Sequence, residues 1–300
     1  MSRILFFATL LSVFSVLSFL PKKGGHPSFP YDLDQPNATF ELQESLKEIS
    51  GLAMSADGKH LVAVNDEEGI IYLLDKLTGH IVRQVPFGDA GDYEGLEVVG
   101  DDAWVIKSNG TLFHVKNYLS EMPEVIKYKS FLNKENDVEG LGHDPHRNSL
   151  LIGCKGKGVD GPDYKLKKAV YEFQMDTRAV ANDPVFLLSL SDVQEYLNHI
   201  QSDEHREMLS EVFSEEEGEM IFSPSGIAVH PLTGEVYVTS SKGKMLLVLG
   251  RDGKIQHLVK LKKKIHQQPE GICFDQEGTL YIANEGKTGK ARIYKFLYRK

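Results

Sequence analysis

A glycine-centred phrase recurs five times in this chain: Ile49-Ser50-Gly51-Leu52, Tyr93-Glu94-Gly95-Leu96, Val138-Glu139-Gly140-Leu141, Pro224-Ser225-Gly226-Ile227 and Pro269-Glu270-Gly271-Ile272. The glycines stand 44, 45, 86 and 45 residues apart. A period near 45 built from short strands is the signature of a propeller blade. One blade cannot bury both of its faces, so the repeat calls for a closed ring of them. The long interval calls for an insertion between the third and fourth units.

Each marker opens a first strand: Leu52 to Met54, Leu96 to Val98, Leu141 to His143, Ile227 to Val229 and Ile272 to Phe274. Turn residues follow in most units, as in Ser55-Ala56-Asp57-Gly58 and His230-Pro231-Leu232-Thr233-Gly234, where Gly, Pro and Asp supply tight hairpin geometry. Second strands (61–64, 103–106, 150–153, 236–239, 280–283) and third strands (70–74, 111–115, 169–173, 245–249, 292–296) are dense in aliphatic and aromatic residues. Sheets covered on both faces require that pattern. Fourth strands are expected at 81–87, 124–131, 185–190 and 255–261, and the fifth unit lacks one. The alternating segment Ala38-Thr39-Phe40-Glu41-Leu42 supplies it, so the ring is expected to close by joining the two ends of the chain. The expected fold is an all-β, five-bladed β-propeller over residues 37–300.

The insertion is expected over 191–217 as a helical hairpin. Val193, Tyr196, Leu197 and Ile200 fall at helical spacing after Ser191-Asp192, and Met208, Leu209, Val212 and Phe213 do so after Ser202-Asp203. It serves either as a lid over one mouth of the channel or as decoration.

The first residues stand apart. Arg3 precedes an apolar run from Ile4 to Leu20, closed by Pro21-Lys22-Lys23. The run suits a signal peptide or an N-terminal anchor over 1–24 and predicts an extracytoplasmic protein. Residues 25–36, with Pro27, Pro30 and Pro36, read as a linker. The net charge of −9 speaks against nucleic acid as a partner. A small molecule or a protein is the expected partner, with membrane contact only through the anchor, and a monomer is expected. The two cysteines, Cys154 and Cys273, make no disulfide framework and are expected as free, buried thiols.

Two columns of the repeat carry chemistry. The residue before each marker glycine is Ser50, Glu94, Glu139, Ser225 or Glu270. Because first strands of propeller blades are innermost, this column should ring one end of the axial channel. Three converging carboxylates repel unless a cation neutralises them, and hard oxygen ligands suit Ca2+ best, with Mg2+ second. The second column, just past strand two, holds Asn65-Asp66, Lys107-Ser108, Cys154-Lys155, Ser240-Ser241 and Asn284-Glu285. The candidate metal ligands are Glu94, Glu139, Glu270, Asn65 and Asn284, with Asp66 and Glu285 able to add to them. Lys107 and Lys155 support a second reading, in which they pair with the glutamates and leave no metal. His143 shares its column with Met54, Val98, Val229 and Phe274 and reads as a packed, hydrogen-bonded histidine.

The phrases Asp92-Tyr93-Glu94-Gly95-Leu96, Val138-Glu139-Gly140-Leu141 and Pro269-Glu270-Gly271-Ile272, with Leu280-Tyr281-Ile282-Ala283-Asn284-Glu285, resemble the SdiA-regulated family of bacterial propellers, distantly related to NHL-repeat proteins. The resemblance runs over roughly 45–298. It implies a five-bladed propeller with a calcium site at the matching acids Glu94, Glu139 and Glu270, and it implies no particular activity. Two classes of function follow. One is an extracytoplasmic binding or scaffold module with a structural Ca2+. The other is a metal-dependent hydrolase of lactones or phosphoesters, an analogy at the level of fold.

Overall fold

The computed structural model describes residues 29–299, except 201, 211, 212 and 214–217. Five antiparallel sheets carry the innermost strands Ile49–Met54, Tyr93–Val99, Val138–Asp144, Ser223–Val229 and Pro269–Phe274. Each innermost strand packs on the next, and the fifth packs on the first. The chain is a five-bladed propeller, as its repeat dictates. The third blade differs from the others: Ala179–Val180 and Phe186–Ser189 both pair with its third strand, Lys167–Gln174.

The marker glycines are where one blade meets the next. A Cβ on Gly51 would lie 2.6 Å from the Leu96 nitrogen, and one on Gly95 would lie 2.8 Å from the Leu141 Cβ. Gly140 abuts Ile227, Gly226 abuts the Glu270 carbonyl, and Gly271 abuts Leu52. Every glycine therefore makes room for the inner strand of the following blade, and the contacts run once around the axis. No real side chain tolerates approaches this close, which explains why the repeat is centred on glycine.

The ends of the chain meet in the fifth blade. Ala38–Glu41 pairs antiparallel with Arg292–Phe296, Phe40 opposite Ile293. Glu41 also holds Arg292 at 3.0 Å and Lys290 at 3.3 Å. Phe40, Leu42 and Leu46 are buried in the core shared by blades one and five, so the closing strand is tied by its ladder and by its side chains.

The segment expected as a linker over 25–36 is, from Phe29 onward, part of the core. Tyr31 and Leu33 are buried beneath it with Tyr237, Phe274 and Phe296. The Tyr31 hydroxyl donates to the Gly278 carbonyl at 2.6 Å and meets His230 Nε2 at 2.9 Å. His266 Nε2 meets the Leu33 carbonyl at 3.2 Å, and Lys262 reaches Asp34 at 2.7 Å. The prolines mark extended chain, and aromatic burial decides where that chain lies. Residues 1–24 and their expected signal or anchor lie outside the described residues, as do 25–28. Among the described residues, no helix is long and apolar enough to cross a membrane.

The insertion forms two short helices, α1 (Leu190–Asn198) and α2 (Asp203–Ser210). Helix α1 starts earlier than its Ser191-Asp192 pair suggests. Ser189 is its N-cap, accepting from the Asp192 N–H while the Asp192 carboxylate accepts from the Ser189 N–H, a reciprocal capping box. Val193, Leu197, Leu209 and Phe213 are buried against blades three and four. The Leu258 N–H donates to the Tyr196 hydroxyl at 3.3 Å. Thus the pair packs beside the outermost strand of blade four, Ile255–Lys260, and covers an edge instead of a channel mouth. The Met208 side chain and Val212 lie outside what is described.

Candidate functional site

The pairing register slips at every marker: between Ile49 and Gly51, Tyr93 and Gly95, Val138 and Gly140, Pro224 and Gly226, and Pro269 and Ile272. Ser50, Glu94, Glu139, Ser225 and Glu270 are therefore bulge residues, standing outside the ladder. A bulge re-aims a side chain that regular pleating would press between blades. The bulges act differently by residue type. Ser50 Oγ donates to the Tyr93 carbonyl of the next blade at 2.6 Å, and Ser225 Oγ to the Pro269 carbonyl at 2.8 Å. These serines staple neighbouring blades together.

The three glutamates gather instead at one mouth of the channel. Glu139 and Glu270 are buried. Burial pushes the Glu94 carboxyl up to about 9, and the charges of Glu139, Asp92 and Glu270 push in the same direction. Glu270 is driven well above the carboxylate range by burial, then by Glu139 and Glu285. Glu285 is pushed up to about 7 by burial and by Asp66. In each case the charged form lacks the solvation and the counter-charge it needs.

Lysine supplies part of that charge. Lys155 Nζ is paired with Glu139 Oε1 and stands 3.9 Å from Asp137 Oδ2. Burial raises the Glu139 carboxyl to about 7 even against the opposing pull of Lys155. Lys107 goes elsewhere: its ammonium lies 4.5 Å from the centre of the Tyr93 ring, a cation–π contact. One of the two lysines expected to compete with a metal is thus on a glutamate.

The second column divides in the same way. Asn65 is spent locally, Nδ2 donating to the Ser45 carbonyl at 3.0 Å and Oδ1 accepting from the Glu68 N–H at 2.8 Å. Its neighbour Asp66 has a buried Oδ1 with no partner, and burial pushes its carboxyl up to about 6. Asn284, opposite Pro269 in the fifth blade, is buried with neither its amide oxygen nor its amide nitrogen bonded. Glu94, Glu139, Glu270 and Asn284 stand at this end of the channel; Asn65 holds the equivalent position in blade one, opposite Ile49, but its amide is already bonded. Among the described residues, no three His, Cys, Asp or Glu side chains stand close enough together to hold a metal ion. The donors at this mouth, carboxylates with the unbonded Asn284 Oδ1 and Asp66 Oδ1, are of the oxygen type that a hard cation takes, but as they stand they do not converge on one point, and Lys155 occupies Glu139.

Cys154 and Cys273 are free and buried, as expected. His143 is not the packed side chain its column suggests, since it is half-buried and lines a cavity at the opposite mouth. Glu97 lines the same cavity and was not among the residues singled out. The signal for it lies in its own column, where Ala53, Gly142, Ala228 and Cys273 leave Glu97 as the only charge.

Several solved structures are similar to this chain. A glutaminyl cyclase from Myxococcus xanthus superposes with a TM-score of 0.56 at 11% identity, over 87% of this chain and 94% of the other. A luciferin-regenerating enzyme gives 0.49 at 11% identity, over 88% and 95%. A gluconolactonase from Xanthomonas campestris gives 0.48 at 12% identity, over 83% and 72%. At 11% identity the likeness to the glutaminyl cyclase is one of fold. No curated protein matches the sequence. The family described as SdiA-regulated matches over residues 27–288, nearly the whole propeller, and the chain therefore belongs to the SdiA-regulated family.

Proposed function

We propose that this chain is an extracytoplasmic binding or scaffold propeller whose acidic mouth takes a divalent cation, calcium by donor chemistry. The observation that carries the reading is Asn284, buried at the mouth with its amide wholly unbonded. A buried amide with nothing to bond is costly, and a cation ligated by its oxygen removes the oxygen's share of that cost. Glu94, Glu139 and Glu270, whose charges act on one another, would have to draw together around the ion, and Asp66 and Glu285 extend the set. Lys155 is the competitor. Its side chain is 38% exposed, so it can swing into solvent and release Glu139. The bound ion would tie blades two, three and five together. Export is supported by the apolar run from Ile4 to Leu20 after Arg3.

Metal analysis of purified protein, with melting followed in calcium and in chelator, tests the proposal. Calcium is expected to raise Tm by several degrees, and Glu270→Gln to abolish that rise. Lys155→Met is expected to lower Tm in chelator, because it leaves Glu139 buried and unpaired, and to tighten calcium binding. Identical melting in both buffers, with no ion retained, overturns the reading. Glu139→Gln separates a structural ion from a catalytic one. The first predicts lost stability in calcium; the second predicts lost hydrolysis of lactones or phosphoesters with melting unchanged.

A further inference from the structure

The channel has a second mouth, at the other ends of the innermost strands, and all five blades contribute to a cavity of about 400 Å3 there. Met54, Val98, Ala228, Val229 and Phe274 give it apolar walls, and Glu97 and His143 face into it. Glu97 Oε1 accepts from the Val98 N–H and Oε2 from the His143 N–H, each at 2.9 Å. The second of these bonds crosses from blade two to blade three, so the carboxylate is fixed at both oxygens. Its position is set by backbone and does not depend on a flexible partner.

The charge balance of the lining is one-sided. It contains two carboxylates, Glu97 and Asp275, three imidazoles, His143, His146 and His230, and no lysine or arginine. Asp275 already has Lys76 at 3.7 Å and the Thr279 N–H at 2.9 Å. Glu97 has no ion-pair partner among the described residues. The His230 ring is engaged by Tyr31 and by the turn at 232–233. Burial lowers the pKa of the half-buried His143 against the charge of Asp144, which favours the neutral ring with its one acceptor nitrogen. Burial pushes the Glu97 carboxyl up to about 7, as expected of a carboxylate enclosed without a counter-ion. The Cys273 thiol, which also lines the cavity, is pushed upward by burial and by Glu97. It is a wall of the cavity and not a nucleophile.

We propose that this second mouth is a binding site for a small organic ammonium, its N–H groups on Glu97 and His143 and its apolar body on Met54, Val98, Val229 and Phe274. The size and the mixture of apolar wall with few convergent polar groups are those of a small-molecule site. An ammonium supplies both the charge that Glu97 lacks and the donors that the two acceptors need. A carboxylate or phosphate ligand would meet like charge. The site is independent of the acidic mouth and of any ion there.

The test uses the full chain with methyl-labelled methionine and ring-labelled histidine, titrated with benzylammonium, benzyl alcohol and benzoate. Benzylammonium is expected to give saturable shifts at Met54 and His143. Benzyl alcohol should bind at least tenfold more weakly, and benzoate should not bind. Glu97→Gln keeps one acceptor for the two N–H groups and should cost the ammonium at least tenfold while leaving the alcohol unchanged. Because the wild-type shifts locate the ligand without any substitution, a variant that misfolds does not decide the matter. Equal binding of the three probes overturns the proposal, as does the absence of saturable shifts at Met54 and His143. Zinc or calcium displacing the ammonium from these residues would make the site a metal site and overturn it too.

Discussion

At the scale of single residues, the marker glycines and the residues before them divide the labour of the ring. The glycine accepts the neighbouring blade, and the bulge residue is turned either into a staple, as Ser50 and Ser225 are, or into the channel, as the glutamates are. Gly95→Ala places a Cβ 2.8 Å from Leu141 Cβ and 2.9 Å from its nitrogen, and the inner strands must part to admit it. We expect a loss of about 3 kcal/mol or more, the upper end of overpacking because backbone must move, read as a lower urea midpoint. Gly58→Ala is the control: its φ is +66°, with nothing within 4 Å of the added carbon, so it should carry only the smaller backbone cost of about 1–2 kcal/mol. Equal losses at the two positions would mean that blade contact is not what the marker glycine serves. Glu94, Glu139 and Glu270 were legible from spacing alone because a fixed period places them in one column. The roles of Asn65 and Asp66 were not. Which of two adjacent side chains faces the mouth depends on the turn at 65–68, whose bonds consume Asn65.

At the scale of elements, the segment from Phe29 to Pro36 behaves as a strap across blades four and five, fastened at two buried histidines. His266 meets the Leu33 carbonyl through Nε2, while its Nδ1 is buried without a partner. The charge of Asp34 acts on the ring against the effect of burial, and Tyr294 and Phe296 pack on it. Burial lowers both His230 and His266 from 6.5 to about 4. The unfolded chain therefore binds more protons between those values. The stability these rings contribute is complete above pH 6.5 and is lost as pH falls towards 4. Each ring accounts for up to about 3 kcal/mol across that window. His266→Phe should melt lower at pH 7, where the bond to Leu33 is lost, yet lose less than wild type on going from pH 7 to pH 4. Urea melts at three pH values check this, and parallel acid sensitivity in the two proteins would rule it out. The strap escaped the sequence reading because its partners lie some two hundred residues away, as Tyr31 and His230 do, and local composition gave only proline. Helix α1 was legible from its apolar spacing. Its start was displaced by a cap that sits on the last residue of a strand.

At the scale of the whole molecule, the number of blades and the closure through Ala38–Glu41 followed from the sequence, because a ring with one strand missing and one to spare has a single economical solution. What the ring encloses was half legible. The acidic mouth announces itself through a repeated column, whereas the opposite mouth depends on Glu97 alone among small and apolar neighbours. Deleting residues 38–42 removes a ladder, two buried side chains and the Glu41 ion pairs together. It should lower Tm by ten degrees or more and spread the loss to blade one, whose core includes Phe40 and Leu42. Hydrogen exchange should then quicken at Leu61 and Tyr72 as well as at Ile293. A truncated chain that melts like the full one would show that closure contributes little.

The partnership of Phe40 with Ile293 also orders events in time. A ribosome delivers the early strand long before the late one exists, and the strap must likewise wait for His230 and His266. Until then its aromatic residues are open to solvent and to other chains. A stretch so placed is where a holding chaperone would find this protein, and where two unfinished copies would most readily exchange ends.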